Sequence, residues 1–186
     1  MPTGLQGYVV DRESPRRGFR HVLSKRDLRA FIDLIPDWDR LSQRLERIVL
    51  GSDNSYDGEY VFYHREQTSS IFLNAWQEDL WMEIASEYFD SHKEIFQRLG
   101  VSYDKTAKAV LCRFTEAQAR AFMLLHVFMH ELGHHHDRLQ QKHRDGTRGE
   151  DYAERFANSR FNQMLSDYVR IFGDPSKQNG TDQRCY

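Results

Sequence analysis

A Thr-x-x-Gln capping box at Thr115 and Gln118 opens a helical stretch that runs from Glu116 to about Gln140. In such a box the threonine hydroxyl and the glutamine side chain satisfy free amides of the first turn. Inside the stretch stands His130-Glu131-Leu132-Gly133-His134. Residues four apart lie one turn apart on the same helix face. Both imidazoles can therefore reach one ion at the roughly 2 Å of a zinc–nitrogen bond. Glu131 falls beside the first of them, where its carboxylate can take a proton from a water made acidic by that ion. Gly133 costs its helix about 1 kcal/mol relative to alanine, which predicts that another element comes close there. The chain must fold around this helix, burying one side of it and leaving a polar face open.

Two imidazoles do not complete such a site. Catalytic zinc takes three protein ligands and keeps a fourth position free. The last helix opens with Glu150-Asp151-Tyr152-Ala153-Glu154, its two glutamates again one turn apart, and the segment from His135 to Gly149 is long enough to turn back. The same pair also reads as an acidic first turn favoured by the helix dipole. His126 lies one turn before His130. It is either a fourth ligand, which would close the site and make it structural, or a packed residue of the pocket wall. His135 and His136 project away from His134 and are expected at the surface. Asp137, two turns from His130, is expected near the site or in solvent.

Elsewhere the patterns are shorter. A strand is expected at Tyr8–Val10. Ser24 and Asp27 mark the start of a helix with Leu28, Phe31, Ile32 and Ile35 on one stripe, ending at Pro36. A second short helix is expected through Trp38, Leu41 and Leu45 toward Ile48–Leu50. Gly51–Gly58 reads as a turn, followed by strands at Glu59–His64 and Ser70–Ala75 as a hairpin. A helix across Leu80, Ile84, Tyr88, Ile95 and Leu99 should end at Gly100. After a polar loop at His143–Gly149, an amphipathic helix carries Ala153, Phe156, Ala157, Phe161, Met164, Leu165 and Tyr168. Trp76, Trp81, Phe89 and Phe96 read as core. The pattern is α+β, mostly helical with a small sheet packed on the histidine helix. It predicts a single domain over residues 1–172 and a flexible tail over 173–186.

Composition removes other classes. With 26 basic and 28 acidic side chains the 186-residue chain has a formal net charge of −2, no field to attract nucleic acid. The longest apolar stretch, Ala121–Met129, is too short for a membrane span and contains His126. No signal peptide is visible at the start. Cys112 and Cys185 make no disulfide framework, so a reducing, cytoplasmic setting is expected.

His130-Glu131-x-x-His134 followed by Glu150-x-x-Ala153-Glu154 resembles the gluzincin arrangement of metallopeptidases. The resemblance implies a zincin-like minimal metalloprotease fold and a Zn2+ cofactor held by His130, His134 and Glu150. It makes Glu131 the catalytic base and Glu154 the group that orients His130. The second motif is similar to the Glu-x-x-Ala-Asn-x-Phe-Ala of small ImmA/IrrE-type peptidases, with Glu154 where that family prefers Asn and Phe156-Ala157 matching. Gly146-Thr147-x-x-Glu150 is similar to the aspzincin Gly-Thr-x-x-Asp signature and also points to Glu150. The metzincin pattern fails, because Asp137 and Gln140 stand where it wants Gly and His. Asn74-Ala75 resembles the substrate-binding edge strand of thermolysin-like enzymes, to which extended peptide adds as one more strand. The alternative is a plain hairpin strand capped by Asn.

These readings predict a zinc-dependent metalloendopeptidase acting on protein or peptide substrates. An ImmA-like enzyme would restrict its cleavage to one regulator. The alternative from another class is a non-catalytic, zinc-stabilised regulatory or protein-binding module, its open position filled by His126 or by both Glu150 and Glu154. Tyr152, His143 and Arg155 lie near the third ligand as possible transition-state donors, none distinguished by spacing.

Overall fold

The structure, a computed structural model, describes residues 7–52, 57–141 and 148–177. In chain order the elements are β1 (Val9–Arg12), β2 (Phe19–Arg20), α1 (Lys25–Ile32), α2 (Trp38–Leu41), β3 (Leu45–Gly51), β4 (Gly58–Tyr63), β5 (Thr68–Asn74), β6 (Trp76–Gln77) and β7 (Trp81–Ala85). There follow α3 (Ser86–Leu99), β8 (Ser102–Lys105), β9 (Ala109–Arg113), α4 (Glu116–Phe122), a π-helical turn (Met123–Val127), α5 (Phe128–Gln140) and α6 (Glu150–Phe172). The fold is mixed α+β, as the sequence predicts. No helix among the described residues is long and apolar enough to cross a membrane.

The largest sheet has strand order β1-β3-β5-β4. β1, β3 and β5 run parallel, and β4 returns antiparallel to β5 with Gly58 opposite Leu73 and Tyr63 opposite Thr68. α5 lies against β4 and β5, and α6 packs on α5 from the other side. A second, three-stranded antiparallel sheet, β7-β9-β8, carries α3. One apolar core joins these parts, with Phe31, Phe89, Phe96, Phe122, Phe128 and Phe161 all fully buried within it.

Both capping boxes form, Ser24 with Asp27 and Thr115 with Gln118. Gly100 ends α3 in the left-handed region at φ 73°, which glycine adopts without steric cost. Other expectations are corrected. Residues 45–51 form β3, and the helix before them stops at Leu41. Ile48-Val49-Leu50 is buried on both faces between β1 and β5, and a short apolar run of that kind has no periodicity to separate strand from helix. α3 begins at Ser86, because Trp81–Ala85 pairs with β9 as β7. The tail start, 173–177, runs against the end of α3, where a β-carbon on Gly100 would come within 3.0 Å of Ser176. Residues 178–186 of the expected tail, 53–56 of the expected turn and 142–147 of the expected loop lie outside the described residues.

Candidate metal centre

The close approach predicted at Gly133 is made by the first turn of α6. A β-carbon on Gly133 would sit 2.8 Å from Cα of Ala153 and 3.1 Å from its carbonyl oxygen. Ala153 is itself fully buried. Two small residues thus let α6 lie directly on α5. Glu150 and Glu154, one turn apart on α6, then straddle His130.

The result is a convergence of donor atoms. His130 Nε2 lies 3.2 Å from His134 Nε2 and 3.1 Å from Glu150 Oε2, and His134 Nε2 lies 3.4 Å from Glu150 Oε1. Donors placed about 2 Å from a tetrahedral zinc stand roughly 3.3 Å apart. The behaviour of the other ring nitrogen sharpens the point. His130 Nδ1 donates to Glu154 Oε2 at 3.2 Å, so in the neutral ring Nε2 carries a lone pair aimed at the other two donors. With the hydrogen of His134 on its Nδ1, three acceptors face one another and suit a cation; with it on Nε2, His134 donates to His130 instead. Burial works against a second proton on His130, but the carboxylates of Glu154, Glu131 and Glu150 raise its affinity for one. His134 moves the other way, disfavoured as a cation by burial and by His130. These residues fit a zinc ion.

Glu154 is held below the usual carboxylate range; burial would raise it, but the hydrogen bond from His130 and the nearby His92 and His126 rings prevail. Its other oxygen accepts from Asn158 Nδ2 at 2.9 Å, so the side chain that orients His130 is itself fixed. Glu131, 7 % exposed, stands beside the donor set rather than in it. Burial pushes its carboxyl up to about 7, opposed by His130 and reinforced by Glu150. Gly58 of β4 lies against it, and a β-carbon there would come within 2.8 Å of Glu131 Oε1.

Above these side chains opens a groove of about 1250 Å³. Its walls include Gly58, Glu59 and Tyr60 of β4 and Trp81, Met82 and Ile84 of β7. Both strands are terminal in their sheets. Asn74 and Ala75 are placed differently from expectation. β5 has neighbours on both sides, so its backbone has no vacant edge for peptide. Asn74 is buried and its amide donates to the Asp57 carbonyl, while Ala75 lines the groove. Among the described residues the vacant edge belongs to β4. Trp81, expected in the core, is 48 % exposed at the groove.

His126 does not join His130, His134 and Glu150; it groups with His92 and Glu154. His135 is buried rather than at the surface. Its Nε2 donates to the Gln43 carbonyl at 3.0 Å, and its Nδ1 lies 2.8 Å from Ser69 Oγ. His136, half-buried, bonds the Tyr152 hydroxyl at 2.7 Å, which engages that candidate donor away from the groove. Arg155 is exposed on α6 and His143 lies outside the described residues. Asp137 is buried and paired with Arg148 Nε at 2.7 Å, not with a ligand. Sequence reading passes over His92, although it sits on the apolar stripe of α3 between Phe89 and Phe96, where a polar residue is itself a signal. Comparison of the chain with family models, curated proteins and solved structures finds no match.

Proposed function

We propose that this chain is a zinc-dependent metallopeptidase of the gluzincin type, with a zincin-like fold and a cytoplasmic setting. The observation that carries the reading is the convergence of His130 Nε2, His134 Nε2 and Glu150 at 3.1–3.4 Å, with Glu131 buried beside them. The buried free thiol of Cys112 is compatible with a reducing compartment.

His130, His134 and Glu150 would hold the ion. Zinc, when bound, supplies Lewis acidity that makes a water acidic and polarises a carbonyl. Glu131 accepts the proton from the attacking water as the new carbon–oxygen bond forms. It then delivers that proton to the amide nitrogen as the carbon–nitrogen bond breaks. A base poised near neutral pH suits both halves of this transfer, and burial raises Glu131 in that direction. Glu154 keeps the His130 ring turned toward the site. The vacant edge of β4 supports an extended peptide as substrate, since backbone pairing to a sheet edge recognises the main chain.

The alternative of a zinc-stabilised module without turnover needs a fourth protein ligand. Among the described residues none joins the set, and a carboxylate beside the first histidine has no use in a closed site. The test is hydrolysis of a mixed peptide library by zinc-loaded protein, with new termini read by mass spectrometry. Glu131→Gln should keep its zinc and lose about 10²- to 10⁴-fold in rate. Undiminished hydrolysis by that variant would contradict the mechanism.

A further inference from the structure

We propose that His92, His126 and Glu154 form a second cation site, behind the first, that takes an imidazole-preferring divalent ion such as zinc. It does not depend on the peptidase reading. The three residues come from α3, the π turn and α6, and their donor atoms all lie within 4.8 Å of one another.

The distances favour an ion. His92 Nε2 is 3.6 Å and His126 Nε2 3.8 Å from Glu154 Oε2. Both exceed hydrogen-bonding range, yet both stand close to the roughly 3.3 Å between donors around a tetrahedral zinc. The two imidazole donors lie within 4.8 Å of each other, and contraction about a cation would close the set.

The chemistry of each donor points the same way. His92 Nδ1 lies 2.8 Å from the Tyr88 carbonyl oxygen, which can only accept, so Nδ1 carries the hydrogen. In the neutral ring Nε2 then turns a lone pair toward a carboxylate oxygen, an arrangement that only a cation relieves. His126 is 2 % exposed and its Nδ1 has no hydrogen-bond partner. That atom stays unpartnered whichever way the ring is used, while Nε2 of the same ring faces Glu154 Oε2 and is placed for ligation. Glu154 Oε1 accepts from Asn158 and Oε2 accepts from His130 Nδ1; the same Oε2 faces the two rings and keeps a second lone pair for them.

The rings are also held ready. Tyr88 stacks on His92 at 4.0 Å between centroids, and Phe122 stacks on His126 at 5.2 Å. The π turn sits where the histidine helix would otherwise continue regularly, and such bulges recur at functional sites. All three donors line the same groove as the first site, so an ion has a path in. Two imidazoles and one carboxylate select zinc-like ions over magnesium or calcium, which prefer oxygen.

The test is a titration of metal-stripped full-length protein with zinc, bound metal being counted by elemental mass spectrometry after desalting. Wild type should bind two ions per chain, falling to one in His92→Gln and to one in Glu150→Ala. Circular dichroism checks that each variant is folded, and a cobalt titration of wild type gives the stoichiometry without any substitution. One ion in wild type, unchanged by His92→Gln and lost in Glu150→Ala, would overturn the second site and leave the first intact. One ion lost in His92→Gln but kept in Glu150→Ala would support the second site and overturn the first. Two ions retained in folded His92→Gln would overturn the assignment, and none in wild type would overturn both.

Discussion

At Gly133 one hydrogen in place of a methyl sets how near α6 can come to the histidine helix. Alanine would improve the helix by about 1 kcal/mol if the helix stood alone. Here its β-carbon would meet Ala153 backbone at 2.8 Å, and backbone cannot swing aside as a side-chain tip can. Gly133→Ala should therefore destabilise the fold by about 1–3 kcal/mol and weaken zinc binding by moving Glu150; urea unfolding and a zinc titration read the two effects. A more stable variant would contradict this account of the helix contact. Gly58 acts on the base instead. A β-carbon there would crowd Glu131 Oε1 at 2.8 Å and Val127 Cγ1 at 2.7 Å. Gly58→Ala should slow peptide hydrolysis at least tenfold with zinc affinity unchanged, and equal turnover would show that Glu131 tolerates displacement.

The fit of α5 to its sheet contributes a pH dependence. His135 joins that helix to the Gln43 carbonyl and Ser69. Burial pushes its imidazole down to about 4, against the pull of the Gln43 carbonyl. Unfolded, it would titrate near 6.5. Between those values the unfolded chain binds the proton more tightly, so this stability is full above about 6.5 and lost as pH falls toward 4. On the order of 3 kcal/mol is at stake, and His135→Gln should flatten the fall in denaturant-measured stability between pH 7 and 5. An unchanged slope would remove His135 as its cause. The edge of β4 carries a second expectation. Peptides N-methylated next to the scissile bond should lose tenfold or more in kcat/KM, whereas equal kcat/KM would argue against strand addition.

What was legible in the sequence follows from the range of the interaction that fixes each element. The capping boxes at Ser24 and Thr115 and the stop at Gly100 are set by neighbours within a turn, and all three form. β3 and β7 depend on partners far along the chain, and their short apolar runs carried no period that excluded helix. The pairing of His130 with His134 and of Glu150 with Glu154 was readable because each pair lies one turn apart in its own helix, whereas the approach of the two pairs rests on the packing of α6 against α5. His92 joins Glu154 only through the packing of α3, and His126 leaves the ladder of His130 and His134 at the π turn, which no local pattern announced.

For the whole molecule, the proposed zinc would fasten α5 to α6, the two helices that pack on each other beside the sheet. At a free zinc concentration 100 times Kd this linkage is worth about 2.7 kcal/mol, or roughly 5–10 °C in Tm for a chain of this size. Chelation should lower the melting temperature by that amount, and an unchanged Tm would mean that no bound ion stabilises the fold. The most direct measurement is a crystal structure of the protein grown with zinc, with anomalous data at the zinc edge. The account predicts a peak about 2 Å from His130 Nε2, His134 Nε2 and a Glu150 oxygen, with Glu131 near it but not ligated and no fourth protein ligand. A fully occupied fourth protein position, or no peak among these three side chains, would contradict it.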